Sequence, residues 1–261
     1  MFYYFFLNPH SDKLKSSIDI VNHAPHSLSE SNLSNLHINY FYTNGERWIF
    51  NYLGEIKKNQ SININKDDLG TKVKDKSIFI CLSEKKVIDE DYLKNSYKLE
   101  KKYHLPMRSN IKIFNNYSAA SYQGELPAIF LKNKLSLVSC SPMIQKLKGI
   151  KNLFYLVNLS NSPEIKKFKV EVLNLEKQKI SELICKTNTV NFFDIDDISK
   201  TNDIVYIFKS SEYGGIPLYY AVNDDYTNMS IEHTHPPVEH VVFGDRLHFQ
   251  RRKKSYWFEN S

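Results

Sequence analysis

Three cysteines in 261 residues, Cys81, Cys140 and Cys185, stand far apart with no CxxC pair among them. That excludes a disulfide-framed scaffold and a cysteine-based zinc ribbon, and leaves three thiols that read as small apolar side chains in a reducing compartment. Glycine (8) and proline (9) are also scarce, while Lys, Asn and Ile are heavily used, as AT-rich coding would produce without structural demand. No apolar run approaches the length that crosses a bilayer. The run from Phe2 to Leu7 has no basic region or cleavage site, so it does not read as a signal peptide. A soluble cytoplasmic protein with no membrane span is the expectation.

The familiar chemical motifs are missing as well. There is no GxGxxG, no phosphate-binding P-loop, no GxSxG and no HExxH, which removes support for nucleotide-driven and common hydrolytic chemistry. Cys140 in "VSCSP" has no base assigned to it by any neighbouring feature and reads as a packed thiol. The net charge of +6 is modest over this length and does not call for nucleic acid. The densest basic cluster, Arg251 to Lys254 followed by Tyr256, Trp257 and Phe258, reads as a solvated segment.

What is present is β structure. Runs such as "LHINYFYT", "KSIFICLS", "NIKIFNN", "LFYLVNLS" and "IPLYYAVN" are β-branched and aromatic, alternating or continuous. Asn44-Gly45 marks a hairpin turn. Helix is confined to residues 89–104, capped by Asp89, and to a short turn around residues 141–149. The chain also resembles itself: the acidic turns Asp67-Asp68-Leu69 and Asp196-Asp197-Ile198 each lie between two strands. These features predict two tandem immunoglobulin-like β-sandwich units, 1–115 and 151–261, joined by a connecting segment, 116–150.

Two stretches could hold chemistry. In "IEHTHPPVEHVVFG", His233 and His235 share one face of a strand, and the prolines that follow let Glu239 turn back towards them. HxH with a glutamate four positions later resembles the first metal-binding motif of the cupins, which implies a metal ion held by His233, His235 and Glu239. The chain departs from that pattern with Thr227 where cupins place a glycine, and with too few residues downstream for the rest of a cupin barrel. The local site therefore stands without the fold, with His248 as a third histidine and zinc or iron(II) as the candidate ion.

The second stretch, "NNYSAASYQGELP", gathers Tyr122, Gln123 and Glu125 around Gly124, an aromatic and amide set suited to a polar ligand. Two functions follow. One is a non-catalytic binding or scaffold protein with a glycan-like or protein ligand, using Tyr122, Gln123, Glu125, His233 and His235. The other is a metal-dependent enzyme acting on a small polar or sugar-like substrate through the HxH and glutamate cluster.

Overall fold

A computed structural model describes residues 2–23, 34–70, 73, 75–93, 109–126, 137–144, 147–198, 204–232 and 259. The protein is mainly β, and its contacts divide it into two units, Met1–Leu131 with Ser160–Ile165, and Lys132–Leu159 with Lys166–Ser261.

Among the described residues unit 1 carries nine strands: β1 (Phe2–Phe5), β2 (Lys15–Asn22), β3 (Leu36–Thr43), β4 (Trp48–Ile56), β5 (Gln60–Asn65), β6 (Phe79–Ser83), β7 (Ser109–Phe114), β8 (Ala119–Gln123) and β9 (Glu125–Leu126). One sheet has the order β4-β3-β6-β1-β9 and the other β5-β2-β7-β8, and every pairing is antiparallel. Unit 2 carries β10 (Leu137–Cys140), β11 (Ile150–Asn158), β12 (Lys167–Leu173), β13 (Lys179–Lys186), β14 (Thr189–Asp194), β15 (Ile207–Ser210), β16 (Ile216–Asn223) and β17 (Met229–Glu232). Its sheets run β10-β15-β12-β13 and β14-β11-β16-β17.

Counted along the chain within each unit, both have the same order: strands 4-3-6-1 in one sheet and 5-2-7-8 in the other. This corrects the immunoglobulin-like sandwich. In that fold the first two strands are neighbours in one sheet. Here the first and second strands of each unit belong to different sheets, because the chain forms a ribbon of nested hairpins in which strand 3 pairs with 4, 2 with 5 and 1 with 6.

The register of the two units agrees in detail. Ser17 lies opposite Asn65 in unit 1, and Leu153 opposite Asp194 in unit 2. The second strand ends in asparagine in both, Asn22 and Asn158. The turn before the fifth strand holds an asparagine in the left-handed region in both, Asn59 (φ 59°) and Asn188 (φ 57°). Asn59 donates its N–H to the carbonyl of Asn22 (2.7 Å), whereas Asn188 donates to the side-chain oxygen of Asn158 (3.1 Å). The acidic turns, Asp67–Leu69 and Ile195–Ile198, each follow the fifth strand.

The hairpin at Asn44-Gly45 forms between β3 and β4, with Gly45 at φ 97° and the Asn44 side chain accepting the N–H groups of Glu46 and Arg47. Residues 90–93 are helical and Asp89 caps them, its carboxylate accepting the Tyr92 N–H at 2.7 Å. The remainder of the helix expected to residue 104 lies outside the described residues. Residues 141–144 are not helical. At Gly124 the chain leaves one sheet for the other: β8 pairs with β7, and β9 with β1. A Cβ there would stand 2.5 Å from Ile111 Cγ2, so glycine permits the crossing.

Each unit has an apolar interior. In unit 1 the Phe41 ring meets Tyr3, Trp48 and Phe79 with centroids 5.4–6.2 Å apart. In unit 2 the core draws Leu137, Phe168, Val170 and Phe208 from one sheet and Phe154, Leu156 and Tyr219 from the other, with Phe154 stacked on Phe208 at 4.0 Å. β11 is buried on both faces from Asn152 onward, which explains its near-continuous apolar run.

Unit 1 also buries a cation. Lys66, 8% exposed, follows β5 and donates through Nζ to the side-chain oxygen of Asn8. Burial is the main cause that brings its ammonium down to a pKa of about 8, with Asp75 and Asp67 opposing. Below pH 8 the folded and unfolded chains both hold this proton. Between pH 8 and the ordinary lysine value of 10.5 only the unfolded chain does, so Lys66 makes stability rise with pH across that window. Urea unfolding of the parent and Lys66→Met from pH 7.5 to 10.5 should show the parent gaining about 2–3 kcal/mol relative to the variant. Parallel pH profiles would contradict the burial of a charged Lys66.

Candidate functional site

The histidine cluster lies outside the described residues: His233, His235, Glu239 and His248 all follow the end of β17. Among the described residues no group of three or more His, Cys, Asp or Glu side chains could hold a metal ion. No helix among the described residues is long and apolar enough to cross a membrane.

Tyr122, Gln123 and Glu125 are distributed by the crossing at Gly124. Tyr122 lies opposite Ile111 on the inner side of its sheet, and Gln123 lies opposite Asn110 on the exposed side. Glu125 stands in the other sheet opposite Tyr4, where its carboxylate accepts the Ser109 N–H at 2.9 Å. Burial first, then the nearby Glu125 carboxylate, holds the Tyr4 hydroxyl well above its ordinary pKa.

The cysteines are free thiols, with Cys81 and Cys185 buried and Cys140 half-buried. Burial pushes all three upward, Cys185 to about 12, so none is poised as a thiolate nucleophile.

Unit 2 holds a cleft of about 360 Å³. Its floor is the inner face of the sheet β14-β11-β16-β17, and strand register explains why it exists. Along β11, the residues facing inward are Leu156, Phe154, Asn152 and Ile150; on β16 they are Tyr219, Ala221 and Asn223. Phe154, Leu156 and Tyr219 belong to the core. One step further along the same face, Asn152 lies opposite Ala221, which lies opposite Ser230. Bulky apolar side chains thus give way to a carboxamide, a methyl and a hydroxyl, and the core opens.

Pro142, Met143 and Ile144, which follow β10, and Ile195, which follows β14, complete the walls. Ile144 and Ile195 are shared with the core. The Tyr219 hydroxyl is held by Ser139 Oγ at 2.9 Å, which fixes that ring at the inner end. At the turn between β16 and β17, the Asn223 side chain accepts the Asn228 N–H at 2.9 Å and donates to Thr227 Oγ1 at 2.9 Å. Among the described residues of the lining, Glu232 is the one charged side chain.

The surroundings are also negative. Asp196 accepts the N–H of Asn152 at 3.3 Å. Burial first, and then the charges of Asp196 and Asp197, push the Asp194 carboxyl above its ordinary value, with the Asp196 N–H that it accepts and then Lys151 opposing.

Sequence inspection does not single out these residues. Their one local sign is Asn152, a polar side chain in the same alternation as Phe154 and Leu156 within an apolar run. No protein-family model matches the chain, and no curated protein sequence matches it.

Proposed function

We propose that this is a non-catalytic binding protein whose unit 2 cleft receives a small polyhydroxylated, glycan-like ligand. The observation that carries this reading is the change along the inner face of β11 and β16, where Phe154 and Tyr219 are followed by Asn152, Ala221 and Asn223. Carboxamides both donate and accept hydrogen bonds, as hydroxyl-rich ligands require, and the flanking Met143, Ile144 and Ile150 offer apolar surface to a carbon skeleton. The volume is within the range of small-molecule sites. The free thiols fit a reducing, cytoplasmic setting.

Titrating the labelled protein with neutral mono- and disaccharides should move the amide resonances of Asn152, Ala221, Asn223 and Ser230. Ala221→Phe, which adds a ring to the floor, should abolish those shifts while leaving the rest of the spectrum in place. Shifts confined to other parts of the protein, or none at millimolar sugar, would reject the cleft as the binding site.

A further inference from the structure

The duplicated fold supplies an internal comparison for the cleft. Strand register sets the correspondence between units. β1 and β10 align through Tyr3 opposite Cys81 and Val138 opposite Lys209. The next backbone bonds repeat as well, Phe6 N–H to the Ile78 carbonyl in unit 1 and Ser141 N–H to the Tyr206 carbonyl in unit 2. Asn8 therefore corresponds to Met143. β5 and β14 align through Asn65 and Asp194, so the next residue, Lys66, corresponds to Ile195. Met143 and Ile195 both line the cleft. Their counterparts in unit 1 are bound to each other, since the Lys66 ammonium donates to the Asn8 side-chain oxygen and the lysine is buried. In unit 1 an aminobutyl chain bridges the two positions; in unit 2 the same two positions line an opening.

We infer that the cleft of unit 2 binds a primary ammonium on a carbon skeleton, receiving from outside the group that unit 1 supplies from its own chain, with Glu232 as the acceptor that selects for the charge. This rests on the cleft being the binding site. The geometry supports it in three ways. Glu232 is the one charged group among the described residues of the lining, and it lies opposite Tyr219 on strand β17, exposed at the margin of the cleft. Asp67, beside Lys66, has its counterpart in Asp196, which backs the floor through the Asn152 amide. Finally, an anionic ligand would meet the Glu232 carboxylate, and the described residues of the lining supply no cation to offset it.

The test uses the full chain and five probes: n-butylammonium, glucosamine, glucose, N-acetylglucosamine and glucuronate, each followed by amide shifts at Asn152, Ala221 and Asn223. The two amines should bind at least tenfold more tightly than glucose or N-acetylglucosamine, and glucuronate should be the weakest. Tighter binding of butylammonium points to a lysine-like source, and of glucosamine to an amino sugar. Glu232→Gln, at an exposed position, should weaken both amines about tenfold and the neutral sugars by a much smaller factor.

Equal affinity for amines and neutral sugars at the cleft, or indifference to Glu232→Gln, overturns the ammonium inference and leaves the binding reading intact. Failure of every probe to move the cleft resonances overturns both. A second arm probes unit 1: Lys66→Ala should gain thermal stability from n-butylammonium beyond any gain in the parent. Equal responses of the two proteins would count against the correspondence.

Discussion

Gly215→Ala should destabilise unit 2 by about 3 kcal/mol, the upper end of what overpacking a tight site costs. Gly215 immediately precedes β16, where Ile216 lies opposite Val157 of β11. A Cβ at Gly215 would stand 2.5 Å from the Val157 carbonyl oxygen and 2.9 Å from Leu156 Cδ1. The first obstacle is backbone in a strand paired on both sides, so no rotamer change relieves it and β16 must move from β11. Gly124→Ala is the natural comparison, because its nearest obstacles are the side chains of Ile111, Ser109 and Ile18, which can turn aside. Chemical denaturation should give Gly215→Ala the larger loss. The reverse order would show that the contact with Val157 is easily relaxed.

Asn191→Ala should cost a similar amount, about 3 kcal/mol, through hydrogen bonding instead of volume. Asn191 is buried on β14 just after the turn that carries the chain from the sheet of β13 to that of β14. Its side-chain oxygen accepts the Lys186 N–H at 2.7 Å, and its amide donates to the carbonyls of Lys186, Leu156 and Thr189 at 2.9–3.3 Å. Alanine leaves these backbone groups at the junction without that partner. Asn191→Asp separates the two roles, since a carboxylate still accepts from Lys186 but directs negative charge at three carbonyl oxygens. The aspartate variant should be at least as unstable as the alanine variant at pH 7, and should recover relative to it in acid as the carboxyl becomes protonated. An aspartate variant as stable as the parent at pH 7 would mean that the donated bonds carry little.

The sequence was most legible where a few neighbouring residues decide the outcome. Alternation in β7, Asn44-Gly45 at the first hairpin and Asp89 ahead of the helical turn each act over two to six residues, and each is seen in the structure. Strand order was not legible, because Tyr3 pairs with Cys81 and Leu126 and nothing near Tyr3 encodes those partners. Regular strand spacing therefore suggested an immunoglobulin-like order that the pairings do not have. The cleft was hidden for the same reason: Met143, Asn152, Ile195, Ala221 and Glu232 come from separate segments and converge only through register. Histidines close in sequence drew attention instead, and they lie outside the described residues.

The nested ribbon also fixes an order of events in time. β3 and β4 can close across a four-residue turn as soon as both exist, whereas β1, with Tyr3, Tyr4 and Phe5 buried, must wait for β6 and then for β9. At a synthesis rate of roughly 5–20 residues per second, about 80 residues of delay leave that aromatic strand without its partner for roughly 4–16 s. Within the six-strand ribbon the pairings therefore become possible from the inside outward, and β1 is the last of the six to gain a partner. A segment of this composition, held unpaired for seconds, is where self-association would compete with folding, and where a chaperone would have most to shield.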